Sequence, residues 1–222
     1  MKKNLTEMVF LLDRSGSMGS LTDDTIGGFN SMIEQQKKED GEAYVTTVLF
    51  NSNRFVLHDH VDIQEIQPMT RADYMAYDMT ALLDAVGATI DSIGERLANT
   101  PEEERPEKVI FVITTDGYEN DSREYTRDKV KEMIEHQQNK YSWVFMFLGA
   151  NMDAVAEAGK YGISSNFAAT YTASEIGTES VYACTSKAIS NLRDVELSAC
   201  TCSMDWMEQA ADCVADSLCS IV

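Results

Sequence analysis

Apolar and polar positions divide the chain into strands and helices that alternate. Residues 8–12, Met-Val-Phe-Leu-Leu, form an unbroken apolar run bracketed by Glu7 and Asp13. This predicts a first strand over 6–12, buried on both faces. Ile26, Phe29 and Ile33 then recur at helical spacing, so a helix is predicted from a cap at Asp23 or Asp24 to about residue 38. Gly27 and Gly28 inside it cost helix propensity and point to close packing or a bent first turn. Residues 43–50 are rich in β-branched side chains and read as a second strand. Asn51-Ser52-Asn53 reads as a tight turn into an antiparallel edge strand over 54–61, where Phe55, Leu57 and Val61 alternate with Arg54, His58 and His60.

A connection over 62–78 leads to the clearest helical stripe in the chain: Leu82, Leu83, Val86, Ile90, Ile93 and Leu97, in a helix opened by Thr80. Residues 109–114 are another fully apolar run, and it ends at Thr115-Asp116-Gly117 much as the first ends at Asp13. A helix over 127–138, a strand over 143–148, a short helix over 153–161, a weaker strand over 166–171 and a helix over about 174–192 follow. Strands alternating with helices, with buried runs for the first, fourth and fifth strands, predict an α/β fold with a mostly parallel sheet covered on both faces. Ligands of such sheets gather at the carboxyl ends of the strands. Asp13, Asp116 and the approach to Thr80 all fall at that edge. One domain is expected over 1–197. Residues 198–222 form a separate helix or tail, with Met207, Ala211, Val214 and Leu218 as its apolar stripe.

Composition narrows the function. The net charge of −19 argues against general affinity for nucleic acid or anionic membrane, both of which need a basic footprint. No stretch approaches the ~20 apolar residues that span a bilayer. The apolar run behind Met1-Lys2-Lys3 is too short and too charged for an export signal, so a cytoplasmic monomer with reduced thiols is expected. Four of the five cysteines lie after residue 199, a distribution unlike a disulfide scaffold.

The chemistry centres on Asp13-Arg14-Ser15-Gly16-Ser17, a turn at the end of a buried strand that presents a carboxylate and two hydroxyls. Mg²⁺ takes six oxygens at about 2.0–2.1 Å, so this turn fills part of a shell. Thr80 and Asp116 supply two further oxygens from the same sheet edge. Three neutral hydroxyls and two carboxylates would leave the ion electron-poor, with a water-held position that a partner Asp or Glu could take through a charge-assisted contact.

The set Asp13-x-Ser15-x-Ser17, Thr80, and Thr115-Asp116-Gly117, in that order, resembles the metal-ion-dependent adhesion site of the von Willebrand factor A family. The resemblance covers about residues 4–195 and is nearest to small intracellular bacterial or phage members. It implies a doubly wound, six-stranded, mostly parallel sheet with one antiparallel edge strand. It also implies Mg²⁺, with Mn²⁺ or Ca²⁺ as substitutes. Ser15 and Ser17 would bind the ion directly, Thr80 directly or through water, and Asp13 and Asp116 largely through water and by orienting the hydroxyls. A non-catalytic protein-binding module with an acidic partner side chain is then expected. Asp78, Gly117, Glu119 and Asp121 would form the partner-facing rim. Asp78 departs from the small residue, often glycine, that the family carries there.

Three other readings compete. Asp13 after a buried strand could serve as the nucleophile of a Mg²⁺-dependent phosphohydrolase. Against this, Arg14 is the only basic residue in the motif loops, and no phosphate-cradling Gly-rich loop is present. Cys200, Cys202, Cys213 and Cys219 could hold zinc in the tail and recruit a partner there, although their spacings are unlike those of zinc knuckles. His58 and His60 would lie on one face of the edge strand as a metal pair, with no third ligand evident.

Overall fold

The computed structural model describes residues 1–194. The tail carrying the four late cysteines, and with it the zinc reading, lies outside the described residues. Six strands form one sheet: β1 (Lys2–Asp13), β2 (Glu42–Phe50), β3 (Arg54–Asp62), β4 (Pro106–Thr115), β5 (Val144–Ala150) and β6 (Ala168–Tyr171). Their spatial order is β3-β2-β1-β4-β5-β6. All neighbours run parallel except β3, which pairs antiparallel with β2 at the edge. The helices are α1 (Thr22–Gln36), α2 (Leu82–Asn99), α3 (Arg127–Tyr141), α4 (Ala154–Lys160) and α5 (Glu175–Asp194). No helix among the described residues is long and apolar enough to cross a membrane.

The strand period of two sorts the core into two layers. Met8, Phe10 and Leu12 of β1 join Ile110 and Val112 of β4 beneath α1 and α5. Val9 and Leu11 join Phe111 and Ile113 beneath α2, α3 and α4 on the other face. Because both faces are covered, these strands read as unbroken apolar runs. Gly28 explains itself in this packing: a Cβ there would fall 2.3 Å from the Tyr182 ring, so α1 and α5 approach closely at that point.

Four local expectations change. Asp23 and Asp24 lie in the first turn of α1, not at its cap, because a 3-10 turn over Gly16–Leu21 leads directly into the helix. Thr80 precedes α2 by two residues rather than opening it. The histidines of β3 are also not a pair. The β2–β3 register shifts between Val45 and Thr47 and again between Thr47 and Val48, and His60 has φ 52°. This bulge interrupts the alternation. His58 Nδ1 meets the Thr47 hydroxyl at 3.0 Å on the α1/α5 face, whereas His60 Nδ1 meets Glu7 at 2.7 Å on the opposite face. Phe55, expected to point inward, is about half exposed.

Glu7 is a residue the apolar pattern hides. Its carboxylate is fully buried in mid-sheet, where it accepts from Arg96 Nη2 at 2.7 Å and from the Thr46 hydroxyl at 2.9 Å, as well as meeting His60. A buried charge persists when paired and hydrogen-bonded in this way. The network fastens the last turns of α2 to β1 and β3.

Candidate metal centre

The carboxyl ends of β1 and β4 lie side by side, with Leu12 opposite Thr114. This register brings the two motif loops together. Asp13 is fully buried and its two oxygens do different work. Oδ1 accepts from the Ser15 backbone N–H at 2.7 Å, turning the chain back after β1. Oδ2 accepts from the Thr115 hydroxyl at 2.6 Å, tying β1 to β4. The Thr115 hydroxyl in turn accepts from Gly117 N–H at 3.1 Å. Asp13 therefore orders the loops that carry the other oxygens.

Ser15 and Ser17 project their hydroxyls to the same point, 3.1 Å apart. Ser17 Oγ donates to Asp116 Oδ1 at 2.6 Å, closing the set across the two loops. Thr80 arrives from a different segment. Its N–H donates to Asn120 Oδ1 at 2.9 Å and its carbonyl accepts from Asn120 N–H at 3.0 Å. A Cβ built on Gly117 would fall 3.5 Å from the Thr80 hydroxyl and 3.8 Å from the Ser17 hydroxyl. Glycine thus leaves open a space among the hydroxyls that any other residue would fill. Ser15, Ser17, Thr80 and Asp116 are therefore gathered as oxygen donors about that space, with Asp13 behind them holding the two loops together. Such a set suits a hard divalent cation. No group of three or more histidine, cysteine or acidic residues has metal-holding geometry among the described residues. Hydroxyls supply most of the donors here.

The electrostatics agree with the donor chemistry. Burial raises the Asp13 pKa to about 6, against the opposing hydrogen bonds from Thr115 and Ser15. Burial also raises that of Asp116, against the Ser17 hydroxyl. Both carboxylates are thus held in a place that disfavours their charge, a penalty that an adjacent dication reverses.

The surrounding loops are stitched to the motif by residues that periodicity does not reveal. The Tyr74 hydroxyl donates to the Asp13 carbonyl. Tyr77 N–H donates to the Arg14 carbonyl at 3.0 Å, and Asn51 Nδ2 donates to the Tyr77 carbonyl at 3.0 Å. The Asp78 carbonyl accepts from Gly16 N–H at 2.9 Å, and Asp78 has φ 68°. That left-handed conformation favours glycine and tolerates aspartate, which accounts for the residue type at this position.

Much of the expected rim is engaged in holding its own loops. Asp78 is exposed, but Glu119 turns inward and caps α2: its carboxylate accepts from Leu83 N–H at 2.9 Å and from Ser122 N–H at 2.7 Å. Asp84 likewise accepts from the N–H groups of Arg123, Glu124 and Tyr125. Asp121 pairs with Arg123 at 3.1 Å. Gly117 lines the space itself.

Solved structures share this architecture. The von Willebrand factor domain of the type V pili tip protein Mfa5 from Porphyromonas gingivalis matches 86% of this chain and 97% of its own length, with a TM-score of 0.61 at 9% identity. Proximal thread matrix protein 1 from the mussel byssus matches over 86% of this chain with a TM-score of 0.57 at 13% identity. A structure of that mussel protein with a zinc-occupied metal-ion-dependent adhesion motif gives 0.56 at 17% identity. This chain covers 48% of the mussel protein in the first of those structures, about half its length. No protein-family model matches the sequence, and no curated protein matches it. The chain has the von Willebrand factor A fold.

Proposed function

We propose that this chain is a divalent-metal-dependent protein-binding module. Asp13, Ser15, Ser17, Thr80 and Asp116 hold the ion, with Mg²⁺ as the first choice. The observation that carries this reading is the convergence of the Ser15 and Ser17 hydroxyls with the Asp116 carboxylate, beside the space that Gly117 leaves open. A bound dication supplies the positive charge that receives a carboxylate from an acidic side chain of the partner. Glu119 and Asp84 are held on backbone N–H groups and so do not themselves reach into the site as ligands. The mussel protein, which shares the fold, holds zinc at the corresponding kind of motif in one of its structures.

Asp13 speaks against a hydrolase. A nucleophilic carboxylate needs an exposed oxygen within reach of its target. Both oxygens of Asp13 accept internal hydrogen bonds, and the residue is fully buried. A non-catalytic module is the reading that unites these features, and we propose with it the reduced, cytoplasmic setting expected from the sequence. The test is capture of host proteins on the immobilised chain with Mg²⁺, compared with chelator and with Ser15→Ala/Ser17→Ala. Partners retained only by the wild type with metal support the proposal. A metal-dependent phosphatase activity abolished by Asp13→Asn would overturn it.

A further inference from the structure

Arg14 lies inside the motif, between the aspartate and the first serine, yet it takes no part in the oxygen cluster. It is nine-tenths buried. Its guanidinium carbon lies 5.6 Å from the Phe55 ring centroid and 5.6 Å from that of Tyr77. Both rings are nearly half exposed, so the cation is embedded in an aromatic patch at the protein surface. Its Nε is buried without a hydrogen-bond partner, and among the described residues no carboxylate pairs with it. Arg71, Arg96 and Arg123 pair with carboxylates, and the buried Arg193 bonds to the carbonyl and side-chain oxygens of Gln36. Arg14 is buried with neither kind of partner for its side chain among the described residues.

The backbone fixes Arg14 relative to the metal-site oxygens. Its N–H donates to the Phe50 carbonyl at 2.7 Å, and its own carbonyl accepts from Tyr77 N–H. At 5.6 Å from two ring centroids the guanidinium is within cation–π reach, and its outer Nη edge, unlike the buried Nε, is not enclosed, so two parallel bonds to a carboxylate can form only at that edge. We infer that Arg14 is a second anchor beside the metal, and that the partner segment carries two acidic side chains, one for the ion and one for the Arg14 fork. This rests on the metal-dependent reading above. Phe55 and Tyr77 act here as positioning residues.

Selection of displayed random peptides against the full chain with Mg²⁺, with a chelator arm as control, tests the inference. Metal-dependent winners should share one required acidic position and a second acidic position at a fixed spacing. A synthetic winner should bind Arg14→Gln about ten- to a hundredfold more weakly, the range for losing a charge-assisted contact. Replacing the peptide's second acid by its amide should cost the same, and combining the two changes should cost little more. Arg14→Lys, which keeps the charge and the packed stem but not the fork, should lose part of the affinity and serves where the glutamine variant folds poorly. The Mg²⁺-induced rise in melting temperature should persist in both variants. Metal-dependent winners with one acidic position, or with equal affinity for wild type and variants, overturn the role of Arg14 and leave the metal reading standing. Absence of any metal-dependent winner overturns both.

Discussion

Ser17 donates its hydroxyl proton to Asp116 across 2.6 Å, joining the loop after β1 to the loop after β4. These residues are separated by 99 positions in sequence, and neither loop alone offers more than part of a coordination shell. The contact exists because β1 and β4 are parallel neighbours at the centre of the sheet.

Metal should therefore stabilise the fold. An ion that binds the folded site and not the unfolded chain adds about 2.7 kcal/mol when present at a hundred times its dissociation constant. Thermal melts in millimolar Mg²⁺ or Mn²⁺ should show a rise for wild type. Asp13→Ala and Ser15→Ala/Ser17→Ala should show none. Equal behaviour of all three proteins would remove the site.

Gly117→Ala is a sharper probe, since it leaves every donor in place. Its φ lies outside the left-handed region, and the new methyl would sit within 3.5 Å of the Thr80 hydroxyl. The metal-free melting temperature should change little. The metal-induced rise should fall away, because the methyl occupies the space among the hydroxyls. A variant with the wild-type response would show that the ion does not use that space.

Glu7→Ala should act on stability alone. It leaves Arg96 without its buried counter-charge and the His60 ring without its hydrogen-bond partner, a loss of roughly 3 kcal/mol. The low end of the usual range applies because Arg96 retains some contact with water. Denaturant unfolding measures the loss, and the metal-induced shift of the folded variant should match wild type.

His58 predicts a pH dependence. Burial lowers its pKa below the usual 6.5, against the opposing charge of Asp73. The unfolded chain therefore binds this proton more readily than the folded one, and stability rises with pH in the interval between the two values. The contribution is complete above about pH 6.5 and is lost as pH falls through the folded-state value. His58→Gln should flatten the stability profile over that window. An unchanged slope would show that His58 titrates normally in the fold.

The fold was legible wherever burial was two-sided. The runs at 8–12 and 109–114 mark the central strands, and the sheet brings together the polar loops that end them, through Thr115 to Asp13 and Ser17 to Asp116. One-sided or irregular segments were harder to read. The bulge in β3 moves His58 and His60 to opposite faces, and no spacing rule announces an extra residue in a strand. Glu7 was invisible because a lone acid beside an apolar run looks like a strand end. Its partners Thr46, His60 and Arg96 come from three other elements. Glu119 read as a rim charge, since one N–H group it caps, that of Leu83, lies 36 residues away, and the N–H groups that Asp84 caps lie 39 to 41 residues away.

The inward turn of Glu119 has a kinetic meaning. Seen from afar, an acidic partner meets the whole charge of −19 and is repelled. At contact it meets the ion and Arg14, with Glu119 and Asp121 held by their own partners. Added salt screens the distant field more than the close contacts. For such a partner, encounter would quicken as ionic strength rises, the reverse of association steered by opposite charge.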